Sequence, residues 1–156
     1  MTPVRSHKNV ELELSRLGST SYSSRVGVPR ADLPPRIIFL SETRQCEDKV
    51  KAIKWRLGLK HCLTHDGKGK GASIALYWDD QIKIKVLSYG PRYFDVLVCD
   101  EPHGPMWRGT FVYGEPRTQD RHLMWNLLKR IRPNANEPWM MIGDFNETMW
   151  QHEHKS

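Results

Sequence analysis

Apolar residues in this chain come in short blocks, and each block has a readable period. Ile37-Ile38-Phe39-Leu40 is a continuous apolar run, the mark of a buried strand. Ser41 or Thr43 can then cap a helix, because Cys46, Val50, Ile53 and Leu57 recur on one helical face. Gly58 follows the last of them, where helices commonly stop. A turn-rich stretch, His65 to Gly71, leads to three strand-like segments: Ser73–Trp78, Ile82–Leu87 and Phe94–Cys99. In the second, Ile82, Ile84 and Val86 alternate with Lys83 and Lys85, which predicts one wet face. Asp79-Asp80 reads as the hairpin turn joining the first two. Trp107–Tyr113 is a further strand, closed by Gly114. Asp120 can cap a helix from about Arg121 to Arg132. Its apolar face is Leu123, Leu127 and Ile131, with Met124 and Leu128 beside them. Lys129, Arg130 and Arg132 complement its dipole, and Pro133 stops it. Trp139–Ile142 is a last apolar strand that runs into Gly143-Asp144-Phe145-Asn146. This order predicts a mixed α/β domain with antiparallel hairpins.

The first 35 residues lack such blocks. Val10, Leu12 and Leu14 alternate with Glu11 and Glu13 as one short strand would, but Gly18–Pro35 carries no period. Residues 1–35 are therefore expected to be a poorly ordered, basic, Ser/Pro-rich arm, and residues 36–156 the folded body. Charge follows the same asymmetry. Residues 1–70 hold 14 Lys and Arg against 7 Asp and Glu, whereas residues 71–156 hold 10 against 11. A basic front half suits a polyanionic partner such as nucleic acid, and equally an ordinary soluble basic surface. No run of apolar residues is long enough to span a membrane, and the first residues lack the apolar core of a signal peptide. The expectation is an intracellular chain with no membrane partner, whose three scattered cysteines are thiols.

Candidate chemistry sits at strand ends. Glu42 follows Ile37–Leu40, Tyr113 ends Trp107–Val112, and Asp144 and Asn146 follow Trp139–Ile142. Groups at strand ends are rigidly held yet open to solvent. Carboxylates suit Mg²⁺, which keeps several waters and takes only one or two of them. An amide or a phenol can donate to a phosphate oxygen. Two other clusters are set aside. Gly67, Gly69 and Gly71 with Lys68 and Lys70 lack Walker spacing, and His61, Cys62 and His65 lack a four-ligand zinc pattern.

Ile37-Ile38-Phe39-Leu40-Ser41-Glu42-Thr43, Gly109-Thr110-Phe111-Val112-Tyr113-Gly114 and Gly143-Asp144-Phe145-Asn146-Glu147 resemble successive motifs of the endonuclease/exonuclease/phosphatase (DNase I-like) superfamily. Ala75-Leu76-Tyr77-Trp78, Arg121–Trp125 and the run Pro138–Glu147 resemble the endonuclease domain of plant non-LTR (LINE-type) retrotransposons. The resemblance covers roughly residues 36–154 and implies part of a four-layer α/β sandwich, a largely antiparallel mixed sheet structure flanked by helices. It implies that Glu42 binds the catalytic Mg²⁺ or Mn²⁺ and that Asp144 orients or deprotonates the attacking water. It implies that Asn146 holds a phosphate oxygen and Tyr113 contacts the scissile phosphate of DNA, in a protein that works in the nucleus. The chain also departs from the pattern. The Trp-Asn pair that ends the family's first strand is absent, and Ala72-Ser73 stands where a glycine pair is usual. The later Asp and the Ser-Asp-His motif do not occur before Ser156. The sequence therefore predicts the front part of such a domain, with little or no activity of its own. The alternative is an inactive remnant that at most binds nucleic acid nonspecifically.

Overall fold

The computed structural model describes residues 22–26, 36–66, 72–100 and 103–147. Its elements in chain order are β1 (Tyr22–Val26), β2 (Ile37–Gln45), α1 (Glu47–Arg56), β3 (His61–Asp66), β4 (Ala72–Trp78), β5 (Lys83–Gly90), β6 (Tyr93–Cys99), β7 (Met106–Tyr113), a 3₁₀ turn (Thr118–Asp120), α2 (Arg121–Ile131) and β8 (Trp139–Asp144). They build two four-stranded sheets, ordered β1-β2-β4-β3 and β5-β6-β7-β8. Every pairing is antiparallel except β7 with β8, which α2 connects in parallel.

Alternation along the strands makes the layers. Ile37, Phe39, Ile74 and Leu76 of the first sheet meet Phe94, Val96, Val98, Phe111 and Ile142 of the second in one buried core. The opposite face of the first sheet, carrying Ile38, Leu40, Ala75 and Tyr77, packs on Val50 and Ile53 of α1. Tyr77 also gives its hydroxyl proton to the Val50 carbonyl at 2.7 Å. On the outer face of the second sheet, Val112 packs on Met124 and Leu128 of α2. The result is two sheets face to face, flanked by helices, the mixed α/β architecture the blocks predict.

Several local expectations are corrected. Ser41 and Thr43 do not cap a helix. They are buried in β2, which runs on to Gln45, and Cys46 is the exposed N-cap, with no side-chain capping bond. Asp79-Asp80 is not a hairpin turn, because β4 and β5 lie in different sheets. The Asp79 carboxylate accepts the backbone N–H groups of Gln81 and Ile82 and pairs with Arg36 at 3.0 Å. That arrangement turns the chain across the core, where Ile82 is buried. β3 was not anticipated, since its polar residues mask a strand that only pairing with β4 reveals. On α2 the buried stripe is Met124 and Leu128, while Leu123 is 59% exposed. The stretch taken for an unpatterned arm supplies β1, five residues paired antiparallel with β2. The candidate strand Val10–Leu14 lies outside the described residues.

Candidate functional site

The regular ladder of β2 on β4 ends at Ser41, which faces Ile74; the next pair is Gln45 with Ala72. Over that interval β2 advances four residues and β4 two, so β2 bulges. Glu42 (φ 55) and Arg44 (φ 47) lie in the left-handed region inside the bulge. Non-glycine residues rarely adopt that conformation, at a cost of about 1–2 kcal/mol each. The consequence is directional. Strict alternation would send Glu42 to the helix-covered face with Ile38 and Leu40. The bulge breaks the alternation, and the Glu42 carboxylate instead accepts the Tyr113 hydroxyl from the opposing sheet.

Tyr113 is the last residue of β7 and stands in register with Asp144, the last of β8. Partners in a parallel ladder point to the same face, here the one that also carries Phe111 and Ile142. The two strands approach closely. A Cβ on Gly143 (φ 147) would overlap the Val112 carbonyl, and one on Gly114 would overlap that of Phe145. Past Asp144 the chain turns on itself. The Asp144 carboxylate accepts the Asn146 backbone N–H at 2.8 Å, and the Asn146 side-chain amide donates to the Gly114 carbonyl at 2.7 Å. Asn146 too is left-handed, at φ 52, a conformation asparagine tolerates better than most residues.

The three sequence segments thus meet. Glu42 touches Tyr113, Tyr113 neighbours Asp144, and Asn146 is tied to the residue after Tyr113. One position differs from expectation: Glu42 sits within a bulged strand rather than beyond its end.

Sequence reasoning missed Arg92. It lies in the turn between β5 and β6, with its guanidinium carbon 5.1 Å from the centre of the Tyr113 ring. The same side chain donates to the Gly114 carbonyl at 3.3 Å and pairs with Glu115 at 3.1 Å. Its only signal was the Pro91-Arg92 turn, which becomes informative once the β5–β6–β7 register is known. Burial pushes the Tyr113 hydroxyl up to about 12, the Glu42 hydrogen bond and charge add to this, and Arg92 works against it. At Glu115, burial favours the neutral form, but the Arg117 backbone and side-chain hydrogen bonds and the charges of Arg92 and Arg117 outweigh it. They hold the carboxyl below its usual range.

Whether a divalent cation fits is a question about donors. Among the described residues no group of three or more His, Cys, Asp or Glu side chains forms a metal cage. Mg²⁺ does not require one, because it keeps most of its waters. Glu42, whose side chain is 32% exposed, is a hard donor open to such an ion. The residues therefore fit a hydrated cation on one carboxylate, not a dry protein-enclosed metal. Burial pushes the Cys62 thiol up to about 11. No helix among the described residues is long and apolar enough to cross a membrane.

No protein-family model matches this chain, and no curated protein does.

Proposed function

We propose that residues 36–147 carry the front half of a DNase I-like, metal-dependent phosphodiesterase site of the retrotransposon endonuclease type. Glu42 holds a hydrated Mg²⁺ or Mn²⁺, which supplies charge stabilisation at a phosphoryl group when bound. Asp144 orients the attacking water or takes its proton, Asn146 donates to a nonbridging phosphate oxygen, and Tyr113 contacts the scissile phosphate. The substrate class is DNA. The observation that carries the reading is the left-handed bulge at Glu42, which costs backbone energy and delivers a carboxylate to Tyr113 beside Asp144. Three separated segments bring four polar groups together, Glu42 from within the bulged β2 and the others from the ends of β7 and β8.

One observation favours a second reading, an inactive remnant that binds nucleic acid nonspecifically. The polar groups are spent on one another: the single Tyr113 hydroxyl proton on Glu42, one Asp144 oxygen on the Asn146 N–H, and the Asn146 amide on Gly114. Two measurements test these readings. Millimolar Mg²⁺ or Mn²⁺ should raise Tm in the wild type and not in Glu42→Gln. Plasmid DNA with Mg²⁺ should show no nicking above background with this chain, and nicking by the wild type that Asp144→Ala removes would mean that the site is complete. A cation-dependent shift without nicking is the outcome expected of the front half of a site. No shift with either ion removes the site altogether.

A further inference from the structure

On the outer face of the second sheet lies a polar cluster that the site does not use. Asp95 and Thr110 are both fully buried. The Asp95 carboxylate accepts Arg108 Nε at 3.0 Å and Nη2 at 2.6 Å, Thr110 Oγ1 at 2.9 Å and Ser88 Oγ at 3.4 Å. Because Thr110 gives its one hydroxyl proton to Asp95, its oxygen accepts the Trp139 indole N–H, at 2.9 Å. The Arg108 backbone N–H donates to the Pro138 carbonyl at 2.8 Å. The chain of donors therefore runs from the first residue of β8 into β7 and β6.

β8 needs such an anchor. Among the described residues it is an edge strand, paired on one side only. Its run Trp139-Met140-Met141-Ile142 has no clean alternation: Met140 and Met141 point to opposite faces, yet are 48% and 40% exposed. Burial therefore specifies the register weakly, and strands of that kind slip. We propose that Asp95, Arg108, Thr110 and Trp139 form a register clamp, and that through it they are positioning residues for Asp144. The clamp acts at the start of β8, while Asp144 is five residues on, roughly 16 Å along the strand. Slipping by one residue would turn Asp144 to the other face; slipping by two would carry it past Tyr113. Only the functional weight given to Asp144 rests on the phosphodiesterase reading.

Two backbone amides of neighbouring residues separate a clamp from general stabilisation. The Gly114 N–H is held by the Asp144 carbonyl at 2.6 Å and reports the far end of the β7–β8 pair. The Tyr113 N–H is held by the Arg92 carbonyl at 2.8 Å and reports the other side of β7. Hydrogen exchange of both is measured by NMR in the wild type, Thr110→Val, Trp139→Phe and Thr110→Ser. The valine variant removes the hydroxyl, and with it the bond to Asp95, at nearly constant shape, and the phenylalanine variant removes the indole N–H and leaves a smaller ring. In them the Gly114 amide is expected to exchange about tenfold faster or more while Tyr113 changes by less than about threefold. Thr110→Ser, which keeps the hydroxyl, should retain Gly114 protection. Equal acceleration of both amides would reduce the cluster to ordinary stability, and no change in either would locate the register elsewhere. If Thr110→Val does not fold, Trp139→Phe carries the same comparison. None of these readings involves a cation or DNA, so they stand or fall apart from the phosphodiesterase proposal.

Discussion

Two polar groups in this molecule make opposite bargains with burial. The Asp95 cluster has a buried carboxylate, bonded to Arg108, Thr110 and Ser88, on extended strand backbone apart from a register shift in β5 between Val86 and Ser88. The Glu42 group is partly open to water and sits on backbone bent out of the regular strand conformation, with left-handed residues at 42, 44 and 146. A buried ion pair in relaxed geometry is hard to break from one side, since removing one partner strands the other charge. A partly exposed carboxylate on strained backbone adds little to stability, and strain of this kind gathers where geometry serves binding or chemistry. The contrast separates polar residues that hold the fold from those the fold holds in place.

The most damaging test of that contrast is Asp95→Ala, which removes the buried acceptor of Arg108, Thr110 and Ser88 and leaves the part-buried Arg108 only Glu137, at 3.9 Å. Urea unfolding should show a loss of about 3–5 kcal/mol, or no folded protein. Glu42→Gln should stay within about 1 kcal/mol of the wild type. Equal losses in the two variants would erase the distinction.

Next in size is Gly143→Ala, expected to cost about 3 kcal/mol or more, because its Cβ would collide with the Val112 carbonyl. The damage should appear as lost exchange protection confined to the β7–β8 pair.

A smaller effect sharpens the comparison further. Glu42→Asn puts a residue suited to φ 55 at the bulge and removes the long carboxylate. Its stability should lie within about 1 kcal/mol of the wild type, while any Mg²⁺-dependent rise in Tm disappears. A large destabilisation would mean that Glu42 holds the fold as Asp95 does.

The smallest effect is one of pH. The Tyr113 hydroxyl ionises near 10 in the unfolded chain and about 12 in the folded one. Its contribution is fully present below pH 10 and is lost as pH rises toward 12, because the unfolded state gives up the proton first. Burial also raises Cys62 and Tyr77, so both add to the alkaline decline. The informative quantity is the difference from Tyr113→Phe, whose stability should fall less steeply between pH 10 and 12.

Much of this was legible in order and little of it in direction. The runs Ile37–Leu40, Ser73–Trp78, Phe94–Cys99 and Trp107–Tyr113 announced strands because their side chains are buried on one or both faces. The stripe through Val50 and Ile53 announced α1 for the same reason. β1 and β3 escaped notice because polar edge strands owe their existence to hydrogen bonds with a partner strand rather than to an apolar block of their own. The chemistry at Glu42, Tyr113, Asp144 and Asn146 was visible as residue types near strand ends. Arg92 was invisible, since a turn arginine gains meaning only when another strand sets Tyr113 beneath it.

The sequence by itself determined the strand and helix blocks, the stop after α1, and which polar residues stand near strand ends, because local periodicity and turn chemistry act within a few residues. Only the tertiary structure decided that Asp79-Asp80 crosses between sheets, that Glu42 turns away from the helix-covered face, and that β8 runs parallel to β7 with Asp144 opposite Tyr113. The physical reason is that strand pairing and side-chain facing are set by groups distant in sequence. They depend on hydrogen bonds and close approaches that exist only once both sheets have formed.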